Sequence, residues 1–254
     1  MHSSLYDDVS RERGQGVRIL PSLCFYNPKE VYDALTRNKD VIRWLRFISN
    51  HYDPAPRQVL LIYPCSADKP YYLSRSYKTL FSTLSKLGEK RKSVHVATVS
   101  EPFGLIPEEF YTEKTEWHDW SGDWYDCPGL FEWWCKKYDQ DYSKEYLEKS
   151  IDCLSDYLAM FFNKVKTRNK YSEIVAFVRT CSSSLEEKSD HTHRRIIEKA
   201  AKTAGVKVDI LPKKRTVSRI VKKSGRLAWD LYGVAHPIAQ QTLLSHLKGV
   251  LNRR

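Results

Sequence analysis

The stretch best suited to covalent chemistry is Pro64-Cys-Ser-Ala-Asp-Lys-Pro-Tyr-Tyr-Leu-Ser74, in which Cys65 leaves an apolar run and Lys69 follows four residues later. A thiolate is a strong nucleophile, and an ammonium near it either favours that form or holds negative charge developing on a substrate. Asp68, Glu101 and Asp126 are the carboxyl groups expected to serve as acid or base. Each assignment competes with a plainer one. Cys65 would otherwise be a small apolar residue at a strand end, Lys69 a surface cation, and Glu101 a loop carboxylate before Pro102. Lys-Pro-Tyr would be a rigid turn, since Pro70 fixes its own φ and biases Lys69 toward extended backbone. Cys127, in Tyr-Asp-Cys-Pro-Gly, is the rival nucleophile. His191 and His193 form a His-x-His pair beside Asp190; spacing supplies no third ligand, so a helix start capped by Asp190 is the preferred reading over a metal site. Neither metal nor cofactor is expected.

These residues need a scaffold, and the hydropathy pattern outlines one. Gln-Val-Leu-Leu-Ile-Tyr-Pro, ending at Pro64, is nearly continuous in apolar residues, the mark of a parallel strand buried on both faces. Residues 74–90 place Leu80, Leu84 and Leu87 at helical spacing with Gly88 as a stop, and Val-His-Val-Ala-Thr-Val follows as a second strand. Strand, helix and strand in that order make a βαβ unit whose strands leave a crevice at their carboxyl ends. Pro64 to Lys69 and Ser100 to Gly104 are expected to share it. One or two helices over 28–52, with Asn38 or Asp40 as a cap, precede the first strand. A long amphipathic helix over 144–166, a strand in Glu-Ile-Val-Ala-Phe-Val-Arg-Thr, a helix ending at Gly205 and a strand in Val-Lys-Val-Asp-Ile-Leu complete the alternation. The expected class is α/β, a mostly parallel, doubly wound sheet with helices on both faces. Residues 1–15 read as a flexible leader and 16–254 as a single catalytic domain. An acidic, aromatic insertion at about 111–142 holds Trp117, Trp120, Trp124, Trp133 and Trp134, and a basic region runs over 213–254. The tryptophans either pack a lid or stack on an extruded base.

The chain of 254 residues carries 42 Lys and Arg against 31 Asp and Glu, a formal charge of +11, which suits a polyanionic partner such as nucleic acid. No apolar stretch approaches the roughly 20 residues needed to span a bilayer, and the first residues lack the apolar core of a secretory signal. A cytoplasmic protein is expected. The six cysteines include no Cys-x-x-Cys pair, which argues against a zinc ribbon or a disulfide framework.

The segment 64–74 resembles the Pro-Cys, three residues, Lys-Pro-Tyr, two residues, Ser signature of the archaeosine-synthase catalytic-domain family. Ser-Glu-Pro-Phe-Gly-Leu-Ile-Pro after the second strand is similar to that family's Ser-Pro-Leu-Gly-Val-Val-Pro type loop, and Val-Ile-Arg-Trp-Leu-Arg-Phe-Ile to the helix before its signature. The likeness spans roughly residues 35–210. It implies action on the nitrile of 7-cyano-7-deazaguanine carried in nucleic acid, by thiolate attack to a thioimidate. Catalysis would fall to Cys65, Lys69, Glu101 and Asp126, and substrate contacts to Pro64, Ser66, Asp68, Tyr71, Ser74 and Gly104. Archaeosine synthase carries His three residues after the signature Ser, where this chain has Tyr77. That family also has transglycosylase-like domains and a PUA-type RNA-binding module for which this length leaves no room. Both departures favour the compact nitrile hydrolases of bacterial DNA 7-deazaguanine modification (DpdC-type), which imply hydration to the carboxamide and DNA as partner, alongside other proteins of such a system. Lysine addition on tRNA and noncatalytic binding of nucleic acid are the alternatives, with the basic region 213–254 supplying phosphate contacts in any of them.

Overall fold

Strands rich in β-branched residues, interleaved with amphipathic helices, fold here into a layered α/β structure. The computed structural model describes residues 18–66, 68–69, 71–112, 123–127, 130–185 and 191–253. In chain order the elements begin with β1 (Arg18–Cys24), α1 (Pro28–Arg37), α2 (Lys39–Arg46) and a π-helical turn, Phe47–His51. They continue with β2 (Arg57–Pro64), α3 (Arg75–Ser85), β3 (Val94–Ser100), β4 (Gly104–Pro107), α4 (Glu109–Thr112), β5 (Asp123–Asp126) and α5 (Glu132–Lys137). The rest comprises α6 (Lys144–Thr167), β6 (Tyr171–Phe177), α7 (Thr192–Ala204), β7 (Asp209–Leu211), α8 (Lys214–Ser224), α9 (Arg226–Tyr232) and α10 (Pro237–Leu251).

The main sheet has the order β4-β3-β2-β6-β7, parallel except at the β4 edge. Residues Val59 to Tyr63 of β2 and all of β3 are buried, so both sides of these central strands are covered. Such burial explains why they lack the polar alternation of a one-sided sheet. A separate parallel pair joins β1 to β5, and the Phe25 N–H extends it by donating to the Asp126 carbonyl at 2.9 Å.

Capping places the helix starts. The Asn38 backbone N–H closes α1 on the Ala34 carbonyl while its side chain accepts from the Asp40 and Val41 N–H groups to open α2. Gly205 ends α7 in the left-handed conformation, as its sequence position suggested.

Two elements differ from expectation. Among the described residues the first strand starts at Arg18, well before β2, and Pro21 interrupts the pattern that would reveal it. The loop after β3 contains an antiparallel strand, so the sheet is mixed. Gly104 opens that strand at φ +62°, and a Cβ there would lie 3.0 Å from Leu45 Cδ2. The turn and the packing thus leave little room for a side chain there. Of the 111–142 segment, β5 and α5 are described. There Trp134 stacks on Tyr26 in a small buried cluster, and Trp133 is 62% exposed. Trp117 and Trp120, like Asp190, lie outside the described residues.

The basic C-terminal region belongs to the main core rather than trailing from it. Leu243 and Leu247 of α10 are buried there, and Gln58 Nε2 donates to the Val250 carbonyl at 3.0 Å. No helix among the described residues is long and apolar enough to cross a membrane.

Candidate active site

Strand order decides where a site can form. From β2 the chain crosses to β3 on one side, and later strands return to β6 on the other, so β2 lies at the switch point where crevices open at carboxyl ends. The register pairs Pro64 with Val99, and the Cys65 N–H continues the ladder to the Val99 carbonyl at 3.0 Å. Cys65 at the end of β2 and Glu101 at the end of β3 are thereby neighbours. The chain leaving β6 then brings in the first turn of α7, with Thr192 and His193.

Cys65 Sγ lies 3.5 Å from His193 Nε2, and the same nitrogen lies 3.1 Å from Glu101 Oε2. Thr192 donates its hydroxyl proton to Glu101 Oε1. Glu101 is 1% exposed and the His193 side chain 14%, whereas Cys65 is half-buried and accessible. Burial opposes both charges of the pair. The imidazolium beside Glu101, with the hydrogen bonds from His193 and Thr192, still holds the carboxyl below its ordinary range. For His193, burial likewise disfavours the cation, but the charges of Glu101 and Cys65 and its bonds to both hold its pKa well above the ordinary value. At neutral pH the cluster therefore contains an imidazolium pinned by a carboxylate, with its Nε2 proton between that carboxylate and the sulfur.

His193 is the member of the cluster that sequence reasoning does not bring to Cys65. The pair His191/His193 was singled out, but as a helix start, and the observed N-cap is His191 with no side-chain cap bond. Its partners lie 128 and 92 residues away in sequence, so no local spacing reveals them. The available signal was topological: a Thr-His dipeptide opening the helix after a parallel strand, at the end of the sheet that holds Cys65.

Lys69 lies in a buried ion pair. Its Nζ is 3.7 Å from Asp126 Oδ1, with both side chains 1% exposed, and it donates to the Cys127 carbonyl at 3.3 Å while standing 5.1 Å over the Tyr125 ring. This buried ion pair ties the loop of the signature to β5. The cation hydrogen-bonded to the Cys65 sulfur is His193. Removing one member of a buried pair strands the other charge. Lys69→Met is accordingly expected to lower stability by about 3 kcal/mol or more, measured as a fall in the denaturant midpoint at unchanged m, and Asp126→Asn in the same chain to recover part of it.

The remaining signature residues divide between packing and the crevice. Tyr71 is fully buried, its ring stacked on Tyr77, so that face is closed to a base. Its hydroxyl donates to Ser100 Oγ at 3.3 Å and shares a short hydrogen bond with Tyr125. Burial first, then the charge of Cys65, raises its pKa well above 10, so it stays a proton donor. Ser74 caps α3, accepting from the Tyr77 N–H at 3.2 Å, which accounts for its presence without a substrate contact. Tyr77 itself is buried, and its hydroxyl donates to the Pro64 carbonyl at 3.1 Å. Ser66 Oγ accepts from the Asp68 N–H at 3.3 Å, and Asp68 is exposed. Cys127 is buried, leaving Cys65 as the thiol set against the imidazole.

Cys65, Glu101 and His193 also offer three ligand atoms within 4.8 Å of one another, the group among the described residues that could hold a metal ion.

Fold and site together define an α/β protein with a Cys-His-Glu cluster at the switch point of a mostly parallel sheet. The chain belongs to the family described as "Domain of unknown function (DUF5591)", which matches residues 41–213 and so contains all three members of the cluster. It is similar to archaeosine synthase subunit alpha of Thermococcus kodakarensis, 30% identical over 151 residues, covering 58% of this chain and 22% of that protein. The subunit of Methanosarcina acetivorans is 28% identical over 176 residues, 69% of this chain and again 22% of the relative. The chain thus spans about a fifth of the length of these curated relatives. Among solved structures, AF0587, a protein of unknown function, aligns with a TM-score of 0.39 at 17% identity over 71% of this chain and 48% of its own.

Proposed function

We propose that this chain is an enzyme that hydrates the nitrile of 7-cyano-7-deazaguanine in nucleic acid, with DNA the first carrier to test, to the carboxamide. The observation that carries the reading is the 3.5 Å approach of Cys65 Sγ to His193 Nε2 within a signature similar to that of archaeosine synthase. The Cys65 thiolate adds to the nitrile carbon, and the nitrile nitrogen takes a proton from the imidazolium, giving a thioimidate. Water then adds to that carbon through the imidazole, which passes its proton to the nitrogen, and expulsion of the thiolate with return of the hydroxyl proton to the imidazole leaves the amide. One nitrile and one water are consumed, and the enzyme is regenerated.

An amine in place of water would give an amidine by the same first step. We assign water because the position held by His in archaeosine synthase is here Tyr77, whose hydroxyl is buried and bonded to a backbone carbonyl. Incubation of oligonucleotides carrying the nitrile in ¹⁸O-water is expected to yield labelled carboxamide, with no requirement for free lysine. Product that forms only when lysine is added, on tRNA, would replace this reading with amine transfer.

A second reading rests on one nitrogen facing both sulfur and carboxylate. That convergence also suits a zinc-type ion with three protein ligands and an open position for water. It predicts stoichiometric metal in the purified protein and loss of turnover on chelation. The thiolate reading predicts turnover insensitive to chelators and an adduct at Cys65 on early quenching.

A further inference from the structure

Outside the Cys-His-Glu cluster, positive charge and exposed apolar side chains follow one another along α8 and α9. The segment 213–226 contains seven Lys and Arg and no Asp or Glu. Lys213 pairs with Asp209. Thr216, Val217 and Ile220 of α8 turn inward, leaving Lys214, Arg215, Arg219, Lys222 and Lys223 exposed. Next along the chain, α9 presents Leu227 and Leu231 at 68% and 69% exposure, with Tyr232 half-exposed. These side chains are not exposed through loose docking of α9. Trp229 on its other face is fully buried, donates its indole N–H to the Cys181 carbonyl at 2.9 Å and is covered by the Arg179 guanidinium.

Two links connect this surface to the chemistry. Cys181 follows Thr180, whose carbonyl accepts from Arg194, the residue after His193. On the other side, the Arg75 guanidinium lies 5.6 Å from the Tyr232 ring, and Arg75 opens α3 just after the exposed Tyr72 and Leu73 of the signature segment.

We propose that α8, α9 and the Tyr72–Arg75 turn form the seat for a single nucleic-acid strand flanking the target base. The cations of α8 meet phosphates, and Tyr232, Leu231 and Tyr72 meet the faces of neighbouring bases. A row of exposed cations with no acidic residue among them in sequence selects a polyanion, and an aromatic ring already paired with an arginine is the kind of platform on which bases stack. The 11 residues of α8 extend about 16 Å, the rise of about five nucleotides. The inference rests on nucleic acid being the carrier of the substrate but not on the fate of the nitrile.

The test measures binding of the full chain to a fluorescent 20-nucleotide single strand, as DNA and as RNA, across a salt series. Neutralising Lys214, Arg215, Lys222 and Lys223 to Gln is expected to flatten the slope of log affinity against log salt by about 3. Tyr232→Ala with Leu231→Ala is expected to weaken binding about tenfold or more at an unchanged slope. All these positions are exposed, and thermal melts establish that the variants fold. Independently of any variant, ultraviolet cross-linking of the wild-type chain is expected to place the strand on peptides containing Tyr232 or Tyr72. Adduct formation at Cys65 with free 7-cyano-7-deazaguanine is followed in parallel. Binding that depends on α8, with no adduct at Cys65 even on an oligonucleotide carrying the nitrile base, would retire the proposed chemistry and keep the strand seat. An unchanged slope in the quadruple variant, no wild-type binding, or preferential α8-dependent binding to phosphatidylserine vesicles would overturn the seat.

Discussion

Cys65→Ala is expected to abolish turnover, by about 10⁴-fold or more, with Cys65→Ser nearly as inactive. A neutral hydroxyl is a far poorer nucleophile at pH 7 than a thiolate, and members of a catalytic unit removed singly cost nearly as much as the unit itself. The sulfur is half-buried and its backbone N–H stays in the ladder to Val99, so folding should change by no more than about 1 kcal/mol. Unaltered stability with lost turnover separates chemistry from scaffold. Mass spectrometry of peptides from quenched wild-type reactions should show substrate mass on Cys65 and none on Cys127. Full activity in Cys65→Ala would transfer the reaction to a directly activated water and remove the thioimidate. Retention of nucleic-acid binding in the same variant separates the strand seat from the nucleophile, and a variant that kept every cellular role would favour a noncatalytic binder.

The sequence disclosed β2, β3 and β6 because buried parallel strands are apolar along most of their length, and that pattern needs no partner to be recognised. It also located the end of β2 at the crevice end of the sheet. β1 and β4 were hidden for local reasons: Pro21 disrupts one, and the other is four residues long inside a loop of Pro and Gly. The site was half legible. Cys65 and Glu101 follow consecutive strands of one βαβ unit, so topology alone makes them neighbours. His193 arrives from the far side of β2, and only the order β3-β2-β6 brings it to them. Lys69 shows that closeness in sequence does not by itself disclose a residue's partners. The chain turns at the signature, and Lys69 joins Asp126 on a strand that sequence patterning did not show.

Replacing Glu101 tests the electrostatic arrangement most directly. In the wild-type chain the depressed Glu101 pKa contributes stability that is present above its unfolded value near 4.5 and is lost as pH falls through the folded value. The raised His193 pKa contributes stability fully present below 6.5 and lost as pH rises through its folded value. Both contributions are therefore complete between about pH 4.5 and 6.5. Glu101→Gln keeps the shape and an acceptor for Thr192 but leaves the imidazolium without its counter-charge. Breaking such a buried pair costs about 3 kcal/mol, and His193, 14% exposed, places the effect near the lower end of the usual range. The stability difference from wild type should be flat across that window and shrink on either side. With the carboxylate gone, Cys65 alone is left to oppose burial, so the His193 ring titration in NMR should move to lower pH. Turnover should fall by about 10²- to 10³-fold, with the alkaline limb of the rate profile displaced in the same direction as the titration. An unmoved limb would show that His193 does not hold the proton delivered to the nitrile nitrogen, even if Cys65 remained the point of attack.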